Sequence, residues 1–534
     1  MGAETASGAV ASVLALHPDD PVRVARVALE PGTRLVLDGR AVTVADHVPP
    51  GHKVAVRDLD GGEPVRKYGQ VIGVATGRIA AGEHVHDHNL RLDEGLSRDV
   101  EIGVDAGRRT DVPSGLPGTF LGYRRPDGRV GTRNYVLLVP TVNCASSTVD
   151  LAARAFEGEE LPPGVDGVIA LPHDSGCGMG VGSDGHRVLA RVLAGFASHP
   201  NVGATIMVSL GCEANQLRYI SELGGGPELV PLRGRDDRVL AGPDDVVEEG
   251  SLTSVVIQEE GGVRRTVDLL VDRVRRLLPR VAAAERVEVP VAELSLALQC
   301  GGSDGYSGIT ANPALGYAAD LIVAQGGTAI LGETPEIYGA EHVLLRRATS
   351  EQVAKRLLER IDWWRGYAAM HGVTLDANPQ PGNRAGGLST IWEKSLGAIA
   401  KLGSSDLSGV VEYAEPVPKG AVVMDTPGYD PVSVTGMVAG GANLVAFTTG
   451  RGSGFGFRPA PSLKIATNSM LYERQRDDMD VNAGVITDGL ASVRDVGEAI
   501  YRELVEVASG KATKSEALGL GTREFVPWHL GAVV

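Results

Sequence analysis

Short alternating apolar stretches mark the first part of the chain, from Pro21 to about Leu92. The runs RVARVAL, TRLVLDG, HKVAVRDL and GQVIGVAT are separated by PG, DG, PPG and GG turns. Apolar alternation with a period of two, broken at turn residues, is typical of half-buried β-strands. The pattern predicts a small all-β domain over residues 21–92, preceded by a disordered stretch at residues 1–20.

Continuous apolar runs alternate with amphipathic stretches after residue 118. The predicted buried strands are YVLLVPTV, DGVIALPH and GATIMVSLG, and the predicted helices between them are STVDLAARAFEG, HRVLARVLAGFA and ANQLRYISEL. Buried strands that alternate with helices imply parallel pairing and right-handed crossovers. Because the pattern starts again at LSLALQC, we predict two α/β domains with mainly parallel sheets, at residues 119–285 and 286–534. The polar, glycine-rich residues 93–118 are predicted to form the linker before them.

Composition and charge limit the class of protein. At 534 residues the chain is too long for one ordinary core, and its formal net charge of -16 disfavours nonspecific binding to nucleic acid or anionic lipid. No window approaches the length of an apolar membrane span, and the opening MGAETASGAVAS lacks the pattern of a secretory signal. We therefore expect a globular cytoplasmic protein that binds neither nucleic acid nor membrane.

All four cysteines follow predicted strands. Cys144, Cys177, Cys212 and Cys300 end the runs YVLLVPTVNC, GVIALPHDSGC, ATIMVSLGC and LSLALQC. Ligands bind outside the carboxyl ends of the strands in open parallel sheets, and polar or glycine-rich sequence surrounds each thiol. At least two of them are therefore candidates to line a site, whereas any single one could be a small buried hydrophobe. Thiolates there could bind a soft metal or an iron–sulfur cluster, or the thiols could pack beneath a pocket.

Histidines cluster in HVHDHN at residues 84–89. If this segment is a strand, His84, His86 and His88 share one face, because side chains alternate with a period of two. Together with His52 in PPGHK they form a candidate metal-binding or anion-binding edge, and a solvent-exposed histidine edge is the alternative.

The loop FTTGRGSGFGFRP at residues 447–459 follows another predicted strand. Its backbone N–H groups and Arg451 could bind a carboxylate or a phosphate. No GxxxxGK[ST], GxSxG, HExxH, protein-kinase or EF-hand motif occurs, which argues against nucleotide-binding, hydrolase and kinase functions.

Eight sequence blocks carry a family resemblance. In chain order they are GHKVAVRD, GYRRPDGRVGTRNY, HDSGCGMG, LGCEANQ, QCGGSDGYSGITANPALGYAADL, ANPQPGNRAGGLSTIWEKSLGAIAKLG, FTTGRGSGFG and DDMDVNAG. They closely resemble the altronate/galactarate dehydratase family from about residue 20 nearly to the end, and residues 21–92 resemble its SAF domain, a β-clip module. The histidines of HVHDHN resemble the altronate-type members alone, so His52, in the shared GHK block, is the better-supported metal ligand.

The resemblance implies β-elimination of water from an altronate-type or galactarate-type sugar acid, which gives a 2-keto-3-deoxy acid. It also implies a divalent metal, foremost Fe²⁺, with Mn²⁺, Mg²⁺, Ca²⁺ or an iron–sulfur cluster as open alternatives. Such a reaction needs a base for the C2 proton, a cation for the enediolate and an acid for the leaving hydroxyl. A sulfolactate sulfo-lyase of the same family and a noncatalytic sugar-acid-binding or metal-binding protein are the alternative functions. A homodimer is the default expectation for its assembly.

We assign candidate roles to three sets of side chains. The catalytic set is His173, Lys464, Asp304 and Cys300. The substrate-binding set is Ser307, Asn312, Glu333, Thr449, Arg451 and Asn383. The metal-binding set is His52, His86, His88, Cys177 and Cys212. Burial in SLKIATN is expected to lower the pKa of Lys464 towards that of a useful base, unless its side chain extends to solvent. Lys394, in IWEKSLG, is expected to pair with Glu393 or another neighbour.

Overall fold

An N-terminal β unit precedes two α/β units in the computed structural model, which describes residues 12–37, 40–96, 100–224, 229–231 and 252–531. The N-terminal strands are mainly antiparallel, and the two larger sheets that follow are parallel. The predicted fold class is therefore confirmed. Within the described ranges, no helix is long and apolar enough to cross a membrane.

The N-terminal unit consists of short strands joined by glycine turns. Its strands are β1 (Val13–Leu14), β2 (Val22–Ala25), β3 (Arg34–Leu37), β4 (Arg40–Thr43), β5 (Lys53–Ala55), β6 (Pro64–Lys67), β7 (Gln70–Ala75), β8 (His84–Val85) and β9 (Leu90–Arg91). They form the sheets β1-β2-β5-β8 and β6-β7-β9 and the hairpin β3-β4. The predicted disordered stretch at residues 1–20 falls partly outside the described residues. Val13 does not fit the predicted disorder, because its side chain is buried and its strand pairs with β2.

The middle unit is built on a five-stranded parallel sheet in the order β13-β12-β14-β16-β15. Its elements are β10 (Thr119–Arg124), β11 (Val130–Gly131), β12 (Tyr135–Pro140), α1 (Asn143–Arg154), β13 (Gly167–Ala170), α2 (Asp184–Ala197), β14 (Val202–Ser209), α3 (Leu217–Gly224), β15 (Leu229–Pro231), β16 (Leu252–Val256), α4 (Val263–Ala282) and β17 (Arg286–Pro290). Of these, β10, β11 and β17 form a separate antiparallel sheet in the order β11-β10-β17. β12 is buried at every position, as expected for a central strand covered by helices on both faces.

The C-terminal unit is built on a parallel sheet in the order β20-β21-β19-β18-β22-β23-β24. Its elements are β18 (Ser295–Cys300), α5 (Ala311–Ala324), β19 (Thr328–Leu331), α6 (Glu341–Leu345), α7 (Glu351–Met370), α8 (Pro381–Arg384), α9 (Ile391–Ile399), β20 (Leu407–Val411), β21 (Gly420–Met424), α10 (Asp430–Ala439), β22 (Leu444–Thr449), β23 (Ser462–Ala466), α11 (Ser469–Arg474), β24 (Val481–Asn482), α12 (Val493–Ala508) and α13 (Lys514–Ala517). β18 lies at the centre of this sheet, between β19 and β22, so its carboxyl end is flanked by loops from both neighbours.

Shared hydrophobic cores join the C-terminal unit to both other units. One core contains Val65 and Ile72 of the N-terminal unit together with Leu296 and Leu331 of the C-terminal sheet. A second core joins Phe196 of α2 to the other face of the C-terminal sheet. The linker residues 100–118 contain no described helix or strand and bond to the C-terminal unit, as when the Gly103 N–H donates to the Leu345 carbonyl at 3.0 Å.

Candidate active site

A buried ionic cluster lies at the carboxyl end of β18. Cys300 is the last residue of that strand, Glu333 follows β19, and Lys401 lies in a single turn after α9. Lys401 Nζ is 2.8 Å from Cys300 Sγ and 3.1 Å from Glu333 Oε2. The thiol in turn lies 3.7 Å from Glu333 Oε2 and 3.9 Å from Glu336 Oε2. One ammonium, one thiol and two carboxyl groups are thus within direct reach of one another.

Lys394 supplies the second cation of this cluster. Its ammonium donates to Glu336 Oε1 and, at 3.0 Å, to Asn378 Oδ1, while Asn378 Nδ2 donates to the same Glu336 oxygen at 2.8 Å. Of the partners expected for Lys394, Glu393 or another neighbour, Glu393 is not the one found, because Lys394 pairs with Glu336. Successive residues of a helix point about 100° apart, so Glu393 faces the N-terminal unit and Lys394 faces Glu336.

Burial shifts the proton affinities in this cluster. It raises the pKa of the Cys300 thiol to about 12. Burial and then the charge of Glu336 raise the pKa of Glu333 to about 7, so this carboxyl group exchanges its proton near neutral pH. Burial opposes the charge of Lys401, but Cys300 and Glu333 outweigh that cost and raise its pKa. Clusters of buried groups with such shifts are typical of functional sites.

A small, partly open cavity, with room for about one water molecule, lies between Cys300 and the N-terminal unit. Cys300, Asp304, Ser307 and Lys394 line it from one side, and Tyr68 lines it from the other. Tyr68 and Glu333 have φ angles of 62° and 61°, and among the described residues only Ala414 shares this left-handed conformation without being glycine. Backbone of this kind costs free energy in non-glycine residues and is concentrated at functional sites.

Asp304 is the hydrogen-bonding centre of the cavity floor. Its carboxylate accepts hydrogen bonds from Thr467 Oγ1 and Ser307 Oγ at 3.0 Å and from Asn468 Nδ2 at 3.1 Å. Gly450 must lack a side chain, because a Cβ there would lie 2.1 Å from the Asp304 carboxyl carbon. With its lone pairs used in this way, Asp304 is suited to hold the loops after β18 and β22 together.

A buried lysine–glutamate–lysine group ties the N-terminal unit to this site. Lys53 Nζ and Lys67 Nζ each lie 2.9 Å from an oxygen of Glu393, and all three side chains are fully buried. Lys53 also donates to the Gly387 carbonyl, and Lys67 donates to the Gly305 carbonyl. Although burial alone would raise the pKa of Glu393, the two ammonium groups hold it at about 2. Tyr68 directly follows Lys67, so this group also fixes the tyrosine over the cavity.

A histidine group, made of His52, His84 and His86, contacts residues 385–389, the segment to which Lys53 also bonds. Nδ1 of His52 and Nε2 of His84 are 3.0 Å apart, and one ring nitrogen from each of His52, His84 and His86 lies within 4.8 Å of the others. His52 Nε2 is 3.3 Å from the Ala385 carbonyl oxygen, and His86 Nδ1 is 3.2 Å from Ser389 Oγ. Burial lowers the pKa of His84 to about 3 and that of His86 to about 4, so both rings are neutral at pH 7.

The structure brings only part of the predicted histidine edge together. The strand β8 ends at Val85, so the period of two does not extend to His88. His88 is exposed, with its ring centroid 5.5 Å from that of His84. The described residues contain two groups of potential metal ligands, this histidine group and Cys300 with Glu333 and Glu336.

Three of the predicted substrate-binding residues act on backbone around the cavity. Asn312 lines the cavity, donates to the Gly397 carbonyl at 2.9 Å and accepts from Thr448 Oγ1 at 2.6 Å. Asn383 donates to the Ser303 carbonyl at 2.8 Å, and Thr449 Oγ1 accepts from the Gly452 N–H at 3.0 Å.

Three other predicted residues lie apart from the cavity lining. Arg451 is exposed. Lys464 lies in β23, where burial lowers its pKa and its ammonium donates to the Ser453 carbonyl at 3.0 Å. His173 follows β13 of the middle unit, and its Nε2 is 2.9 Å from the Pro140 carbonyl while the Ser175 N–H donates to its Nδ1. Its ring therefore fixes the loop that carries Cys177.

The cysteines divide between the two parallel sheets. Cys300 is buried at the end of β18, whereas Cys144, Cys177 and Cys212 are exposed at the carboxyl edge of the middle sheet. The four strand ends thus occupy equivalent places in their own sheets but do not form one group of four thiols.

Sequence reasoning missed several members of the site: Lys53, Lys67, Tyr68, Glu336, Asn378 and Lys401. A usable signal existed for Lys401, because a lysine within the apolar run GAIAKLG resembles the pattern that singled out Lys464. No local pattern marks Lys53 or Lys67, since their partner Glu393 is more than 300 positions away.

Family models match the chain in three consecutive ranges. The altronate/galactarate dehydratase SAF domain matches residues 11–93, and the second domain of D-galactarate dehydratase/altronate hydrolase matches residues 122–282. The C-terminal domain of D-galactarate/altronate dehydratase matches residues 291–533.

Relatives match most of the chain. Altronate dehydratase of Bacillus subtilis (strain 168) is 34% identical over 509 residues, covering 95% of this chain and 96% of that protein. Galactarate dehydratase (L-threo-forming) of Escherichia coli (strain K12) is 37% identical over 505 residues, covering 92% of this chain and 91% of that protein. The (2R)-sulfolactate sulfo-lyase subunit beta of Chromohalobacter salexigens is 30% identical over 413 residues, covering 76% of this chain and 96% of that protein. With these identities along nearly its whole length, the chain belongs to the D-galactarate/altronate dehydratase family of hydro-lyases.

Proposed function

We propose that the chain removes water from an aldonic or aldaric acid of the altronate or galactarate type and releases a 2-keto-3-deoxy acid. The C2 proton leaves beside the carboxylate, the C3 hydroxyl departs as water, and the resulting enol becomes the 2-keto group. The observation that carries this proposal is the contact between Cys300, Glu333 and Lys401 at the edge of the cavity. The relatives named altronate dehydratase and galactarate dehydratase support the choice of substrate class.

Cys300 is the proposed base for the C2 proton. Cys300 is among the residues that line the cavity, whereas Glu333 is not. The thiol is protonated at rest because burial raises its pKa, so it must first pass its proton to Glu333, 3.7 Å away. Glu333 is partly ionised at neutral pH because its own pKa is about 7, and the transfer is uphill because the pKa of the thiol is higher. The ammonium of Lys401 then stabilises the thiolate, since it contacts the sulfur directly.

Lys394 is the proposed site for the negative charge that develops on the substrate. Lys394 lines the cavity, and its ammonium remains charged because Glu336 outweighs the effect of burial and raises the pKa of the lysine. A fixed cation beside the substrate carboxylate favours the enediolate over the ground state. Tyr68, on the opposite wall, is placed to donate its hydroxyl proton to the departing C3 hydroxyl.

A divalent cation, which the family implies, fits the histidine group better than the cysteine cluster. One nitrogen from each of the three imidazoles lies within 4.8 Å of the others, and His52 and His86 each also contact a protein oxygen, as rings oriented for metal binding often do. At the cysteine cluster, Lys394 and Lys401 already contact the carboxyl and sulfur atoms. We assign Fe²⁺ to His52, His84 and His86, where imidazole ligands suit it and where it would add Lewis-acid charge beside residues 385–389.

The proposal is tested by incubating the anaerobically purified, iron-loaded protein with a panel of aldonic and aldaric acids. We expect formation of a 2-keto-3-deoxy acid from at least one of them, detected as its carbonyl derivative. Sulfolactate belongs in the same panel, with sulfite as the measured product, because one relative is a sulfo-lyase subunit. Sulfite release without any dehydration product would favour that function, and no turnover of any acid would contradict both.

A further inference from the structure

Three cysteine-bearing loops meet at the carboxyl edge of the middle sheet, outside the cluster of Cys300. Cys144 lies in the first turn of α1, Cys177 in the loop after β13, and Cys212 in the loop after β14. All three thiols are exposed. Exposed free thiols are reactive and are normally kept off protein surfaces, so three of them at one sheet edge need a reason.

Backbone hydrogen bonds connect the three loops to one another. The Asn143 N–H donates to the Ser175 carbonyl at 2.8 Å, and the Asn215 N–H donates to the Gly176 carbonyl at 3.2 Å. Asn215 Nδ2 also donates to the Thr141 carbonyl at 3.2 Å. Cys144 directly follows Asn143, Cys177 directly follows Gly176, and Cys212 lies three positions before Asn215. Since successive Cα atoms are about 3.8 Å apart, Cys144 and Cys177 lie one position from a contact between two of the loops, and Cys212 lies within about 11 Å of one.

Glycine permits this close approach. Gly176 has a φ of 100°, and a Cβ there would lie 2.5 Å from the Thr141 carbonyl oxygen and 2.8 Å from Val142 Cα. A residue with a side chain would therefore push the loop of Cys177 away from the loop of Cys144. The buried ring of His173 holds the same loop by bonding to the Pro140 carbonyl.

We propose that Cys144, Cys177 and Cys212 bind an iron–sulfur cluster of the four-iron type, with one iron left free of cysteine. Thiolates are the usual protein ligands of such clusters, and hydrogen bonds to the ligand sulfurs stabilise them. Cys212 already has such a donor, because Gln258 Nε2 lies 3.4 Å from its sulfur.

The spacing of the sulfurs argues against a single ion. A tetrahedral ion with bonds of about 2.3 Å to sulfur holds its thiolates about 3.8 Å apart. The three sulfurs do not all lie within 4.8 Å of one another, so they do not already surround a single ion. The four irons of a cluster separate their cysteine ligands further, and the proposal requires only that the three joined loops hold their thiols on one edge of the sheet. The site is separate from the histidine group and from Cys300, and it stands whether or not the proposed dehydration is correct.

The test measures acid-labile sulfide in the full-length chain. The anaerobic protein is treated with equal amounts of ferrous and ferric iron and with sulfide, desalted, and analysed for sulfide per chain and for the electron paramagnetic resonance signal after reduction. We expect about four sulfides per chain in the wild type. Cys144→Ser, Cys177→Ser and Cys212→Ser should each lose most of the sulfide and the signal, while Cys300→Ser should retain both. Sulfide is the deciding readout, because iron held by the histidine group binds none.

Circular dichroism and the thermal midpoint serve as folding controls, and all three substituted thiols are exposed, so neither property should change. A wild-type chain that takes up no sulfide overturns the proposal. So does a folded Cys177→Ser or Cys212→Ser variant with the sulfide content of the wild type, or binding of a single zinc ion in place of the cluster.

Discussion

Glu393 Oε2 lies 2.9 Å from Lys53 Nζ although the two residues are 340 positions apart and both are completely buried. The second oxygen of Glu393 accepts from Lys67, which directly precedes the cavity residue Tyr68. One carboxylate therefore compensates two buried ammonium groups and sets the position of the N-terminal unit over the C-terminal sheet. The consequences of removing it, and of changing each group that the proposed reaction uses, can be measured separately.

Replacing Glu393 with Gln should destabilise the chain and lower activity. The variant keeps the shape of the side chain but leaves two lysines buried without a counter-charge, which costs about 3–5 kcal/mol in comparable sites. Urea unfolding, followed by the fluorescence of the four tryptophans and by circular dichroism, gives the change in unfolding midpoint. Asp58→Asn is the matched control, because it removes an exposed ion pair with Arg78 and should leave the midpoint nearly unchanged. A Glu393→Gln midpoint equal to that of the control would show that the pair does not hold the units together.

Activity should rise with pH through about 7. Glu333 must be unprotonated to accept the proton of Cys300, and its pKa is raised to about 7, so kcat/KM should fall below that pH and level off above it. The profile of kcat/KM between pH 5.5 and 9 checks the direction. Glu333→Gln, which cannot accept a proton, should lose activity at every pH. A profile that instead decreases through pH 7 would assign Glu333 the role of an acid.

Removing the ammonium of Lys394 should slow the reaction without abolishing binding of the protein's metal. Loss of one group that stabilises transition-state charge costs about 10²–10³-fold in kcat. Lys394→Met tests this. Lys419→Met is the control, because Lys419 is exposed, donates to the Ala292 carbonyl and lies 3.9 Å from Glu293, away from the cavity lining. Equal kcat values in the two variants would contradict a role for Lys394 at the cavity.

Divalent metal content should depend on His52. Purified protein loaded with ferrous iron in the absence of sulfide should bind about one ion, as a single three-histidine site holds one cation. His52→Ala should lose that ion, and His47→Ala, which removes an exposed histidine paired with Glu30, should keep it. Iron retained by His52→Ala but lost by Cys300→Ser would move the metal to the cysteine cluster.

The sequence predicts the units and one wall of the site because both depend on local patterns. Alternating and continuous apolar runs follow from strand burial, and Cys300, Asp304, Ser307 and Asn312 all lie in one segment after β18. The facing wall depends on side chains that meet only through the chain's tertiary packing. No local sequence pattern shows that Lys67 and Glu393, 326 positions apart, are in contact. Glu336 is recognisable as a member of the site only once β19 lies beside β18.

Lys394 illustrates a second limit of sequence reasoning. Its neighbour Glu393 has the opposite charge, so a local ion pair is the simplest expectation, but helix geometry turns the two side chains towards different units. His88 differs from expectation for a related reason, because the strand that would give a period of two ends at Val85.

The central claim, that the Cys300 thiol removes the C2 proton of a sugar acid, is tested most directly by Cys300→Ala. The variant is compared with the wild type on the acid that the wild type dehydrates best, at equal metal content and with circular dichroism and the thermal midpoint as folding controls. Since a base and its partner groups act as a unit, we expect kcat to fall by roughly 10³-fold or more. A folded Cys300→Ala variant that retains kcat within about tenfold of the wild type would contradict the account, since general-base catalysis alone contributes about 10²–10⁴-fold.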